Sequence, residues 1–249
     1  MNRIYWENEY ISAFTDLPCA DIHKHWMLQL FLCLYTKVQV EINGEKILDH
    51  CIILDSNVKH RFCVKGDVYY TMLIEPTSDI AFYMRDHYIN KTKGYGFIDV
   101  SKHKKTDFLY LLTNVAIEEY KKFIEEFNST IFITNIDKKS LDVRVREIIE
   151  QLEQSDFFNV SVKVLADKVS LSESRITHLF KEYTGIPLKG YILMKKWKKA
   201  YELILKNGNI TTAALDAGFD SPSHFASTNK KLTGMTAQFT FKNSRFLKV

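Results

Sequence analysis

The stretch SVKVLADKVSLSESRITHLFKEYTG, residues 161–185, reads as two short helices joined by a turn. Val162, Leu165, Ala166 and Val169 recur three or four apart on the first, and Ile176, Leu179, Phe180 and Tyr183 do so on the second, so each helix has one face to bury. Val169-Ser170-Leu171 is the turn between them. Ser172 is placed to cap the second helix, because a serine hydroxyl accepts from one of the amides left without a partner at a helix start. What remains outside on that helix is Ser172, Glu173, Ser174, Arg175, Thr177, His178 and Lys181. Short hydrogen-bonding side chains and cations suit the DNA major groove, which admits an α-helix and whose base edges present donors and acceptors.

Downstream the pattern comes again. Gly185 ends the second helix, and Pro187 can open a third, since its missing amide is no loss in a first helical turn. That helix is long, with Tyr191, Met194, Trp197, Ala200, Tyr201 and Ile204 at helical spacing and Lys195, Lys196, Lys198 and Lys199 on another face. Then ITTAALDAGF and DSPSHFASTNKKLTG give a short helix, a turn at Gly218, a cap at Ser221 with Pro222 behind it, and a helix ending at Gly234. Two such helices on one chain, joined by a stiff one, could enter successive major-groove segments about 34 Å apart. Upstream, LDVRVREIIEQLEQ adds a helix burying Val145, Ile148, Ile149 and Leu152.

From Leu141 to Thr240 the chain resembles the AraC/XylS family of bacterial transcription regulators. The residues that carry the resemblance are LADKVSLSESRITHLFKEYTG, MKKWKKAYELI, and ITTAALDAGFDSPSHF with KKLTG. The resemblance implies an all-α C-terminal domain of about seven helices in two subdomains, and an N-terminal domain for effector binding, dimerisation or both. It also implies double-stranded promoter DNA and RNA polymerase as partners. The DNA-facing set is then Ser172, Ser174, Arg175, Thr177, His178 and Lys181, followed by Ser221, Ser223, His224, Ser227, Lys230 and Lys231. The second repeat departs from the family, with Ser227 and Asn229 where arginine and phenylalanine are usual, Ala213 for a larger aliphatic and Ala237 for proline. A polar Asn229 at a buried position needs a partner, or it costs about 1–3 kcal/mol.

The first half reads differently. LQLFLCLY, VQVEI, KILDHCIILD, HRFCV and VYYTMLIE have the β-branched and aromatic content of strands. Asn43-Gly44 between two of them is a hairpin turn, because both residues tolerate positive φ. Strands at this spacing imply a sandwich or small barrel. His23 and His25, Gln29 four residues on, and His60 look like the two half-motifs of a cupin jelly roll, in which histidines and a glutamate hold a metal. Here Gln29 stands in the glutamate's place, and Ser56 and Asn57 replace the usual glycine and proline. The expectation is therefore a cupin-like β domain in which these four residues line an effector site and hydrogen-bond on its rim, with no metal and no cofactor. A metal-dependent cupin enzyme, and a DNA binder without an effector, are the competing readings.

Next, residues 91–105 read as a loop. Thr106 should cap a helix to about Phe127, whose apolar arc of Leu109, Leu112, Ala116, Tyr120, Phe123 and Phe127, widened by Phe108, Leu111, Val115, Ile117 and Ile124, exceeds what one small sheet covers. A homodimer through the 107–127 helix is one use for the surplus, and a lodging between two domains is the other. The expected division is a sensor domain 1–90, a helical linker or dimerisation region 91–140 and a DNA-binding domain 141–249, an α+β chain overall.

Composition agrees with this division. From Leu141 onward there are 17 Lys and Arg against 11 Asp and Glu, and before it 17 against 19, so the positive excess falls where phosphates would be met. No apolar run approaches the roughly 18 residues of a membrane span, and MNRIYWENEY lacks the apolar core of a signal peptide. A cytoplasmic regulator that is not an enzyme, with no membrane partner, is the reading. In that compartment Cys19, Cys33, Cys51 and Cys63, with no CxxC among them, are expected to be free thiols.

Overall fold

In the computed structural model, which describes residues 2–16, 19–63, 67–102, 108–113, 117–131, 141–154 and 160–248, the β-branched and aromatic runs of the first half do form strands. They are β1 (Asn2–Trp6), β2 (Tyr10–Thr15), β3 (Leu28–Leu32), β4 (Val38–Ile42), β5 (Glu45–Asp49), β6 (Cys51–Leu54), β7 (His60–Cys63) and β8 (Tyr69–Ile74). Then come α1 (Asp79–His87), β9 (Tyr95–Phe97), α2 (Phe108–Thr113) and α3 (Ile117–Ile131). The second half holds α4 (Val143–Gln154), α5 (Val162–Lys168), α6 (Glu173–Thr184), α7 (Leu188–Asn207), α8 (Ile210–Asp216), α9 (Pro222–Thr233) and α10 (Ala237–Asn243), and closes on β10 (Ser244–Lys248). Two compact units result: Met1–Lys138 with Leu232–Val249, and Lys139–Lys231.

The first unit is built on two sheets, one of seven strands in the order β10-β1-β2-β8-β3-β6-β9 and one of three in the order β5-β4-β7. Strand β3 shows how they stack. Its alternation sends Leu28, Leu30 and Leu32 into a core with Phe14, Tyr70 and Met72 and with Phe108, Phe123 and Phe127 of α2 and α3. Phe31 and the following Cys33 point the other way, into a second core with Val38 and Val40 of β4 and Phe62 of β7. The large sheet is thus covered by helices on one face and by the small sheet on the other, so β3 is buried along its whole length. Asn43 and Gly44 take φ values of 51° and 91° and turn β4 into β5, with Ile42 opposite Glu45.

Several expectations meet the structure here. Most of the apolar arc of the 107–127 region is spent inside the chain: Leu111, Leu112, Tyr120, Phe123, Ile124 and Phe127 are buried, whereas Leu109 and Tyr110 are exposed. The Thr106 cap and Ala116 lie outside the described residues. Cys33 and Cys51 are free and buried, but Cys19 is disulfide-bonded, which corrects the expectation of four free thiols. Sequence spacing carries no information about which cysteines the sheets bring together. The C-terminal part is not all-α either, because β10 pairs in parallel with β1, Asn2 opposite Ser244 through Trp6 opposite Lys248. Five residues of SRFLK have no helical or hairpin partner nearby to announce a strand; the edge of β1 supplies one.

Gly234 illustrates a backbone requirement at the close of α9. Its φ is 69°, and a Cβ there would stand 2.7 Å from the Asp21 carbonyl and 2.9 Å from His23 Nδ1. Only glycine fits both the left-handed conformation and the space.

Candidate nucleic-acid interface and a buried histidine cluster

The two halves of the 161–185 stretch fold as the spacing dictates. Ser161 caps α5 by accepting from Val164 N at 3.2 Å, and Ser172 caps α6 by accepting from Arg175 N at 3.2 Å. Ser170 takes a φ of 54° in the turn, and Gly185 ends α6 in the left-handed conformation. Val162, Leu165, Ala166, Val169, Ile176, Leu179 and Phe180 are buried, which fixes which side of α6 faces out. Ser172, Ser174, Arg175, His178 and Lys181 are all exposed, and Thr177 is half-buried. The Thr177 hydroxyl donates to Glu173 O at 2.7 Å; toward a ligand it therefore offers lone pairs and a methyl group.

The second repeat has the same construction. Asn209 caps α8, Gly218 makes the turn with φ 80°, and Ser221 caps α9 by accepting from His224 N at 3.1 Å. Ser223, His224, Ser227, Lys230 and Lys231 are exposed, and Ser221 is half-buried. His224 Nδ1 lies 3.0 Å from Oδ2 of Asp220, which precedes α9, so a carboxylate already engages the first histidine of that outer face. Asn229 is fully buried and has the partners its position demands: its Oδ1 accepts from Trp197 Nε1 at 2.9 Å and from Tyr201 OH at 2.6 Å. An amide oxygen thus replaces an apolar ring by tying α9 to α7 with two hydrogen bonds.

The lysines of α7 do not form the free cationic strip that their run suggests. Lys195 is buried, with Nζ 3.6 Å from Glu153 and 5.2 Å from the centre of the Tyr191 ring. Lys196 donates to the Gly218 carbonyl at 2.7 Å, closing the turn ahead of α9, and Lys199 lies 3.9 Å from Glu202. Their positions at consecutive steps around the helix hid this from the sequence, because only packing decides which of them turn inward.

In the first unit the four residues singled out at the start of the chain do come together. His23, His25 and His60 are buried, with Gln29 beside them. Gln29 shares its sheet face with Phe31 by strand alternation, and His23 pairs backbone to backbone with His60. Gln29 Oε1 lies 2.9 Å from His25 Nε2 and 2.8 Å from His60 Nε2, and its Nε2 donates to Thr71 Oγ1 at 3.2 Å. Burial, the largest cause in each case, holds all three rings below the ordinary histidine pKa, His25 at about 4, with mutual repulsion adding to the shift of His25 and His60. At neutral pH the cluster is uncharged.

Two capped helix pairs, each burying one face and presenting the other, define a protein with tandem helix-turn-helix units. Residues 165–243 match the family described as a helix-turn-helix domain. The bifunctional transcriptional activator/DNA repair enzyme Ada of Escherichia coli is 35% identical over 80 residues, a segment that spans 32% of this chain and 22% of Ada. Among solved structures, ToxT from Vibrio cholerae bound to an unsaturated fatty acid aligns over 92% of this chain and 94% of its own, with TM-score 0.55 and 15% identity. ToxT bound to (E)-4-(8-methylnaphthalen-1-yl)but-3-enoic acid aligns over 96% and 97%, with TM-score 0.55 and 14% identity. At that identity the likeness is one of fold, a β-rich N-terminal part followed by helices, which this chain shares. No helix among the described residues is long and apolar enough to cross a membrane.

Proposed function

We propose that this chain is a transcription regulator that binds promoter DNA through α6 and α9. The observation that carries the reading is the pair of outward polar faces, on α6 and on α9, in two helix-turn-helix units linked by α7. That helix has 20 residues and is about 30 Å long, close to the roughly 34 Å between successive major-groove segments on one face of a duplex. In this reading Arg175, Thr177 and His178 meet base edges, while Ser174 and Lys181 meet phosphates. Ser223, His224 and Ser227 face the second groove, and Lys230 and Lys231 reach its backbone. Ser172 and Ser221 act first as helix caps. Because Asp220 already engages His224 of α9, and that helix lacks an arginine, we assign most of the base selectivity to α6.

Replacing Arg175 with alanine should weaken binding to the cognate promoter by about 1–3 kcal/mol, roughly 5- to 150-fold, and relax the preference at one base position, with little change on unrelated DNA. Fluorescence anisotropy with both duplexes checks this, and an equal loss on the two would remove Arg175 from base reading. Replacing Lys181 should instead weaken binding to every sequence and reduce the slope of log K against log salt by about 1. A slope that stays the same would deny the phosphate contact.

The remaining assignments follow from the same reading. The first unit, with its two stacked sheets, is a cupin-like sensor for a small molecule. The ToxT structures, which hold a fatty acid and a naphthyl butenoic acid, support a ligand-controlled regulator rather than an enzyme. We take 1–90 as sensor, 91–140 as linker or dimerisation region and 141–249 as the DNA-binding domain, in a cytoplasmic protein that works with RNA polymerase. A homodimer through the 107–127 region would use Leu109 and Tyr110 of α2, large apolar side chains exposed there among the described residues. Sedimentation of a Leu109→Lys variant tests it: a dimer that persists unchanged removes this face.

A further inference from the structure

His23, His25 and His60 are arranged in a way that hydrogen bonding among protein groups accounts for poorly. Each Nδ1 faces a backbone carbonyl two residues away: Asp21 O at 2.8 Å, Met27 O at 2.9 Å and Val58 O at 2.9 Å. A carbonyl only accepts, so each Nδ1 carries the ring's proton, and in a neutral imidazole the Nε2 is then a bare lone pair. Two of these lone pairs lie within 2.9 Å of Gln29 Oε1, itself an acceptor. His23 Nε2 has no hydrogen-bond partner among the described residues. Three acceptors and a carbonyl oxygen thus converge without a proton between them. Turning the Gln29 amide would supply two hydrogens and relieve part of the conflict; a cation would satisfy all of it.

We propose that His23, His25 and His60 bind one divalent d-block cation of the zinc class through their Nε2 atoms, with the Gln29 carbonyl beside it. The ligating nitrogens lie within 4.8 Å of one another. A tetrahedral ion with bonds of about 2.0–2.1 Å spaces its ligands roughly 3.4 Å apart, so loading draws the rings together by about an ångström or less per ring. The three Nδ1-to-carbonyl bonds supply the outer support that fixes ring orientation and tautomer at histidine metal sites. Three imidazoles without a carboxylate favour zinc, copper or nickel over magnesium, calcium or manganese, which want oxygen ligands. With neutral ligands the ion keeps its full charge, and its open position takes water or an anion. Access is through the cavity of about 350 Å3 that reaches His60 between Ile22, Glu41, Asn43, Gly44 and Lys59.

This site does not depend on the DNA-binding reading, and its test does not use DNA. The full chain is stripped with a chelator and titrated with Zn2+ in a competition assay, and with Co2+ by visible absorption. The expected result is one ion per chain at micromolar metal or below, with the intense absorption of a tetrahedral cobalt centre. His60→Ala should weaken binding at least 100-fold, whereas His50→Ala, in a histidine outside the cluster, should leave it as it was. Gln29→Glu adds an anionic ligand between His25 and His60 and should tighten binding tenfold or more. That gain cannot come from misfolding, so it decides the matter if His60→Ala fails to fold. Absence of stoichiometric metal in the wild type, binding that survives the loss of His60, or an affinity that Gln29→Glu does not raise would each overturn the proposal.

Discussion

Asn229→Leu should destabilise the helical unit by about 2–4 kcal/mol, even though leucine is the more usual kind of residue for a fully buried position on a helix. The wild-type amide oxygen accepts from Trp197 Nε1 and Tyr201 OH. Leucine leaves the indole N–H buried with nothing to receive it, at a cost of about 1–3 kcal/mol, and takes from Tyr201 a bond worth about 1 kcal/mol. The gain in apolar area only partly offsets this, because the pocket is lined by those same donors. Urea denaturation followed by circular dichroism measures the loss. The sharper check is a double-mutant cycle with Trp197→Phe. If the indole donor is what makes leucine expensive, the two substitutions together should cost clearly less than the sum of each alone. Strict additivity, or a leucine variant as stable as the wild type, would show that the amide is not tying α9 to α7.

Phe123→Ala should have the larger effect in the first unit, about 3–5 kcal/mol. Phe123 is buried on α3, and its ring centre lies 5.0 Å from that of Tyr70, 5.2 Å from Phe14, 5.5 Å from Phe108 and 5.7 Å from Phe127. It therefore joins β2, β8, α2 and α3 at one point, and a cavity there cannot collapse without moving a strand of the central sheet. The measurement is the urea midpoint of the unit that contains Trp6 and Trp26, followed by their fluorescence. A loss below about 1 kcal/mol would mean that α3 is held by its ends and not by this ring cluster. The same experiment bears on the dimer: with Phe123 engaged within its own chain, a second copy would have to meet the exposed Leu109 and Tyr110 instead.

How much of this could be read from residues alone differs between the halves. The helix-turn-helix pairs were legible because their determinants are local: Ser172 and Ser221 as caps, Gly185 and Gly234 as stops, and apolar residues three and four apart. The Asn43-Gly44 hairpin was legible for the same reason. The four-residue cluster of His23, His25, Gln29 and His60 was found by its resemblance to a motif, but its tautomers depend on three backbone carbonyls that no sequence pattern places. Strands β1, β2, β9 and β10 and helix α1 were missed, β9 inside the stretch 91–105 read as a loop, since short segments such as NRIYW and SRFLK carry too few residues for periodicity to speak. The lysines of α7 misled because four cations in five residues look like a surface, while Tyr191, Glu153 and the Gly218 carbonyl take two of them.

The pairing of β1 with β10 has a consequence for how the protein is made. It joins residues 242 apart, Asn2 and Ser244, and at about 5–20 residues per second a ribosome needs roughly 12–50 s to deliver the second after the first. Over that interval β1 lies at the rim of a growing sheet with its outer amides and carbonyls unclaimed, the condition in which strands seek foreign partners. Completion of the sheet thus waits until β10 has been made. A nascent chain that stalls after α9 carries both helix-turn-helix units and an open, adhesive rim at the same time.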